Sequence, residues 1–137
     1  MVRILLVDDE PFIVQGLKAM LEQGNQNCEI VGEASNGKEA LDFLKQREVD
    51  LVIADIQMPV MSGLELLETI RKEKISDAYF VILSGYSDFQ YAQQALRYKT
   101  MDYVLKPVKQ EELEHIIAQV ENLNRKKEEE EKKEQRR

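Results

Sequence analysis

Cysteine is nearly missing from this 137-residue chain, with Cys28 standing alone. One thiol excludes an internal disulfide and a cysteine-built metal cluster, and it fits a reducing, cytoplasmic setting. Its plain reading is a small, partly buried residue near a strand start. Histidine is as scarce: His115 is the only one, set beside the apolar stripe of the last helical segment as a surface residue. No apolar run approaches the roughly 18 residues that span a bilayer. The chain enters a strand-like run at Val2 to Val7 with no basic segment before it, so a secretory signal is not expected. An excess of basic charge is absent too. The net charge is −7, and the mixed run from Arg125 to Arg137 carries +2 of its own, which leaves −9 on residues 1–124. An acidic body argues against nucleic-acid binding by this segment and suits a cation site better.

What is present is alternation. Ile4-Leu5-Leu6-Val7, Leu51-Val52-Ile53-Ala54 and Phe80-Val81-Ile82-Leu83 are short continuous apolar runs, as expected of strands buried on both faces. Glu29 to Ala34 is more polar and Tyr103-Val104-Leu105 is short, so these two read as edges. Helical spacing fills the gaps. Ile13, Leu17, Met20 and Leu21 form one stripe, entered at Pro11 and stopped at Gly24. Asn36 with Glu39, and Ser62 with Glu65, read as capping pairs ahead of Ala40-Leu41-Leu44 and Leu66-Leu67-Ile70. Asp88 would cap a fourth segment containing Ala92, Ala95 and Leu96, and Leu113, Ile116, Ile117, Val120 and Leu123 make the fifth and strongest stripe. Five β–α repeats predict a doubly wound parallel sheet, a flavodoxin-like (βα)5 α/β fold with strand order 2-1-3-4-5. The expected organisation is one domain over residues 1–124. Residues 125–137 follow as a charged helical extension or linker toward an output domain, with opposite charges such as Glu128 and Lys132 at helical spacing.

That topology would gather the strand ends. Asp8 and Asp9 follow the first strand, Asp55 the third, Ser84 the fourth and Lys106 the fifth, all at the carboxyl edge where open α/β sheets bind ligands. Three carboxylates at close range repel, and a cation or a proton relieves them. Oxygen donors without histidine or cysteine favour Mg²⁺ over zinc. One carboxylate could then serve as nucleophile, with the others holding the metal, a lysine pairing with phosphoryl oxygens and a hydroxyl donating one hydrogen bond. In isolation each feature has a plainer reading: Asp8-Asp9 as turn and cap, Lys106 as a solvated lysine, Ser84 as a loop hydroxyl.

Leu5-Leu6-Val7-Asp8-Asp9-Glu10-Pro11, Leu51 to Pro59 with Met61-Ser62-Gly63-Leu64, Val81-Ile82-Leu83-Ser84 and Asp102-Tyr103-Val104-Leu105-Lys106-Pro107 resemble, in order, the motifs of the response-regulator receiver family of two-component signalling. The resemblance covers about residues 2–123. It implies that Asp55 is the phosphoacceptor and that Asp9 ligates Mg²⁺ directly, with Asp8 reaching it through water. The Gln57 carbonyl would be a further ligand. It also implies that Lys106 pairs with the phosphoryl group beside a cis Lys106–Pro107 bond, and that Ser84 and Tyr103 form a switch pair. The implied partners are a sensor histidine kinase and a phosphorylation-dependent homodimer, formed over the fourth helix, fifth strand and fifth helix. Gly85 stands where the family often has alanine, and Tyr86 would there shield the acyl phosphate from water. The stretch Ser84 to Ala92 is similar to a receiver subgroup joined to AraC-type helix-turn-helix domains. DNA would then be contacted only through a C-terminal part absent from this segment.

Two other functions use similar parts. A phosphohydrolase of the haloacid-dehalogenase type also combines a nucleophilic Asp, Mg²⁺, a hydroxyl and a lysine, but it needs an acid two residues after the nucleophile, where this chain has Gln57. A degenerate receiver used only for docking would not need the intact set of Asp8, Asp9, Asp55 and Lys106.

Overall fold

The structure is a computed structural model that describes residues 1–24, 27–85 and 102–135. Its elements alternate: β1 (Val2–Val7), α1 (Pro11–Gln23), β2 (Cys28–Ala34), α2 (Gly37–Gln46), β3 (Leu51–Asp55), α3 (Gly63–Lys72), β4 (Tyr79–Ser84), β5 (Asp102–Leu105) and α4 (Gln110–Gln135). Helix α4 carries the fifth of the predicted helical stripes. The predicted fourth segment, Asp88 to Leu96, and Tyr86 lie outside the described residues. All strand pairs are parallel and the order is β2-β1-β3-β4-β5, the flavodoxin-like arrangement.

Alternation along the strands builds two cores, one on each sheet face. Leu5, Val7, Val52, Ala54, Phe80 and Ile82 point toward α2 and α3, where they meet Ala40, Leu44, Leu66, Leu67 and Ile70. Ile4, Leu6, Leu51, Ile53, Val81 and Leu83 point the other way, against α1 and the Leu113, Ile116, Ile117 and Val120 face of α4. The edge strands β2 and β5 are the less buried ones because only one neighbouring strand covers each of them.

Local signals act as the chain suggested, with three adjustments. Pro11 opens α1 at a position whose N–H would be idle, and Gly24 closes it. The buried line of α1 is Val14, Leu17 and Leu21, while Ile13 and Met20 flank it half-buried, so the stripe is rotated from the expected one. Ser62 and Glu65 form a complete capping box on α3. At α2 only half of that box forms: Asn36 accepts from the Glu39 amide, but the Glu39 carboxylate turns to the Ser35 amide and hydroxyl. Finally, α4 runs unbroken past its apolar face to Gln135.

Candidate functional site

The carboxyl ends of β1, β3, β4 and β5 meet at one edge of the sheet and bring together five of the side chains expected there. Asp55 is the last residue of β3 and Ser84 the last of β4. Asp8 follows β1, and its position is secured because its Oδ1 accepts the Glu10 N–H at 2.9 Å. Asp55 Oδ1 faces the Gln57 N–H at 3.4 Å, and Asp55 Oδ2 accepts from Lys106 Nζ at 3.0 Å. The same ammonium stands 3.9 Å from Asp8 Oδ2. The Lys106–Pro107 peptide bond is cis.

Carboxylate oxygens of Asp8, Asp9 and Asp55 all lie within 4.8 Å of one another. Asp8 and Asp55 are buried and Asp9 is exposed, so the cluster opens to solvent on one side. Burial is the main force on Asp8, and it pushes the carboxyl from 3.8 up to about 6. The Glu10 amide opposes that rise, the Asp55 charge adds to it, and Lys106 and Asp9 follow with opposite signs. Burial also works against the Lys106 charge. Its hydrogen bond to Asp55 and the charges of Asp55, Asp8 and Glu10 outweigh that cost and hold the ammonium above its ordinary value.

Among the described residues, two side-chain polar atoms are buried without a hydrogen bond, Asp8 Oδ2 and Ser84 Oγ. A buried unpaired oxygen costs about 1–3 kcal/mol, so both positions favour a ligand or a rearrangement that supplies a partner. Oxygen donors of this kind, with one ammonium beside them, fit a small hard cation shared with phosphoryl oxygens. Tyr103 is half-buried on β5 and packs against the core on the α2–α3 side of the sheet.

Glycines define the rest of the site, and residue types alone gave little sign of them. A Cβ on Gly63 would collide with the Asp55 carbonyl oxygen. The Gly63 N–H donates to the Ile56 carbonyl at 3.0 Å, so the start of α3 lies against the end of β3. Only the Ser-Gly pair ahead of an apolar helical run hinted at it.

The doubly wound sheet thus carries an acidic crevice, reached by the Lys106 ammonium, at its topological switch point, where open flavodoxin-like sheets bind ligands. Residues 4–118 match the response regulator receiver domain, and the chain belongs to that family. The transcriptional regulatory protein YesN of Bacillus subtilis is 36% identical over 124 residues, covering 88% of this chain and 33% of that protein. The transcriptional regulatory protein HptR of Staphylococcus aureus is 36% identical over 120 residues, 88% of this chain and 46% of its own length. The chain thus spans between a third and a half of these curated relatives. Among solved structures, the receiver domain of AraT, a response regulator from Geobacillus stearothermophilus, superposes with a TM-score of 0.79 at 34% identity, covering 93% of this chain and 99% of that one. A receiver domain protein from Clostridium thermocellum gives 0.80 at 32% identity, covering 93% and 98%. Among the described residues no helix is long and apolar enough to cross a membrane.

Proposed function

We propose that this chain is the switch of a two-component response regulator: a sensor histidine kinase phosphorylates Asp55 in an Mg²⁺-dependent reaction, and the modified domain controls a transcriptional output. The carrying observation is the buried Asp55 carboxylate, held by Lys106 at 3.0 Å within a cluster of two further carboxylates. An Asp55 oxygen attacks the phosphorus of the donor phosphohistidine. The new O–P bond forms as the P–N bond breaks, and the departing imidazole nitrogen keeps the electron pair and takes up a proton. Lys106 then has phosphoryl oxygens to pair with as well as a carboxylate. Asp9, Asp55 and the Gln57 carbonyl would hold Mg²⁺, with Asp8 reaching it through water. Bound there, the ion neutralises charge on the incoming phosphoryl group.

The unpaired Ser84 hydroxyl supports the switch reading. An acyl phosphate on Asp55 is a new charged acceptor for it, and its movement would free space for the Tyr103 ring. The domain catalyses only its own phosphorylation and dephosphorylation. A cytoplasmic location fits the single cysteine. The continuous α4, described as far as Gln135, suits the charged stretch after residue 124 to a helical linker toward an AraC-type DNA-binding part, and phosphorylated copies would pair over β5, α4 and the predicted fourth helical segment.

The test is intact mass spectrometry after incubation with Mg²⁺ and a small acyl- or amido-phosphate donor, beside Asp55→Asn. Gain of one phosphoryl mass, lost in the variant and without Mg²⁺, is expected. Equal gain by Asp55→Asn removes Asp55 from its role.

A further inference from the structure

The loop from Ile56 to Ser62 joins the phosphoacceptor strand to α3 and carries the Gln57 carbonyl. It is bracketed by two glycines, each the first residue of a helix. The first N–H groups of a helix have no partner within it, so they are free to hold something else. Gly63 at the start of α3 donates to the Ile56 carbonyl at 3.0 Å, and Gly37 at the start of α2 donates to the Met61 carbonyl at 3.1 Å. Between these anchors the chain makes a tight turn. The Met61 N–H reaches the Pro59 carbonyl at 2.7 Å across Val60, whose φ is 69°. A β-branched residue in that region is strained, and such a conformation persists only where its surroundings impose it. Val60 is largely exposed, so its side chain gains little from packing that could offset the strain.

We propose that Gly37 is a positioning residue for the cation site: its amide and its missing side chain hold the Met61 carbonyl, and so keep the strained loop where the Gln57 carbonyl serves the metal. This rests on the reading of Asp8, Asp9, Asp55 and Gln57 as the cation site. Gly37 is buried, and a Cβ there would stand 2.7 Å from the Met61 carbonyl oxygen and 2.7 Å from its Cγ. Side chain Cγ can swing aside, but the carbonyl oxygen moves only with the loop. Alanine is otherwise favourable at a helix start, so Gly37→Ala tests the close approach alone.

Gly32→Ala is the matched control. The nearest atoms to a Cβ on Gly32 all belong to the Phe43 ring, so it strains the later part of the same helix without meeting the Met61 carbonyl. The experiment is calorimetric Mg²⁺ titration of the wild type and both variants, beside their metal-free thermal unfolding. Outer positions of a metal site cost 10–100-fold in affinity, so Gly37→Ala is expected to raise the Mg²⁺ Kd about tenfold and Gly32→Ala less than about twofold, although both lower stability. If Gly37→Ala is too unstable to purify, Gly37→Ala with Met61→Ala removes the Cγ contact, keeps the carbonyl contact and carries the same expectation. An unchanged Kd in the Gly37 variant, or an equal rise in both, overturns the role of Gly37. A wild type that takes up no Mg²⁺ overturns the cation site itself and this inference with it.

Discussion

Removing a carboxylate from the Asp8, Asp9 and Asp55 cluster should stabilise this protein when no metal is bound. Asp8 is the residue to change, because its Oδ2 is buried without a hydrogen bond and burial raises its carboxyl from 3.8 to about 6. A displacement of that size corresponds to about 3 kcal/mol against the ionised form. The folded-state value lies above the unfolded one, so the native state binds the proton more tightly. Stability from this group is therefore fully present below 3.8 and is lost as pH rises through about 6. Asp8→Asn keeps an oxygen to accept the Glu10 N–H and removes the charge. It also forfeits the attraction of Lys106 at 3.9 Å and buries an amide without a partner. Deducting those losses leaves a gain of about 1–2 kcal/mol at mildly alkaline pH, or roughly 3–8 °C in Tm for a domain of this size. Thermal unfolding in EDTA, followed by circular dichroism across the acid and neutral range, measures it. The advantage of Asp8→Asn should be small near the unfolded value and reach its plateau above the folded one. Saturating Mg²⁺ should shrink or reverse it, because the ion binds the native wild type more tightly. A variant no more stable than wild type at the plateau, or one with the same advantage in acid, refutes the assignment of the penalty to Asp8.

Gly63→Ala should destabilise the fold by about 1–3 kcal/mol, since its Cβ meets the Asp55 carbonyl and that strand end cannot yield cheaply; urea unfolding checks it. At the opposite end of β3, Asp50 accepts from the Arg3 amide at 2.8 Å and from the guanidinium through both oxygens at 3.1 Å. Burial opposes its charge, but Arg3, joined by Asn124, outweighs burial and holds the carboxyl below its ordinary 3.8. Asp50→Asn should cost about 1–2 kcal/mol at neutral pH, a half-buried pair counting for less than a fully buried one. The lowered folded-state value places that contribution above 3.8, so denaturation midpoints of the variant and wild type should converge as pH falls through the native value.

The order of the sheet was legible because burial leaves a mark on composition. A strand covered on both faces reads as an unbroken apolar run, as Ile4 to Val7 and Phe80 to Leu83 do, and the polar Glu29 to Ala34 could only be an edge. Once the order was set, Asp8, Asp9, Asp55, Ser84 and Lys106 had to share one end, since parallel strands all finish there. What was not legible depends on distances between elements remote in sequence. Nothing local distinguishes Gly37, which a carbonyl from the β3–α3 loop approaches, from a glycine that merely opens a helix. The α1 stripe was incomplete for a related reason: Ile13, Val14, Leu17, Met20 and Leu21 are all apolar, and only the way α1 lies on the sheet puts Val14 in the buried line with Ile13 and Met20 beside it. Side-chain capping shows the same limit. Asn36 and Glu39 have the spacing of a reciprocal pair, yet Ser35 offers the carboxylate both a hydroxyl and an amide and takes it away. Residues that carry charge at strand ends are therefore exposed by chemistry and periodicity together. Residues that matter for lacking a side chain become visible only when the surface pressed against them is known, and here that surface is the loop directly after Asp55.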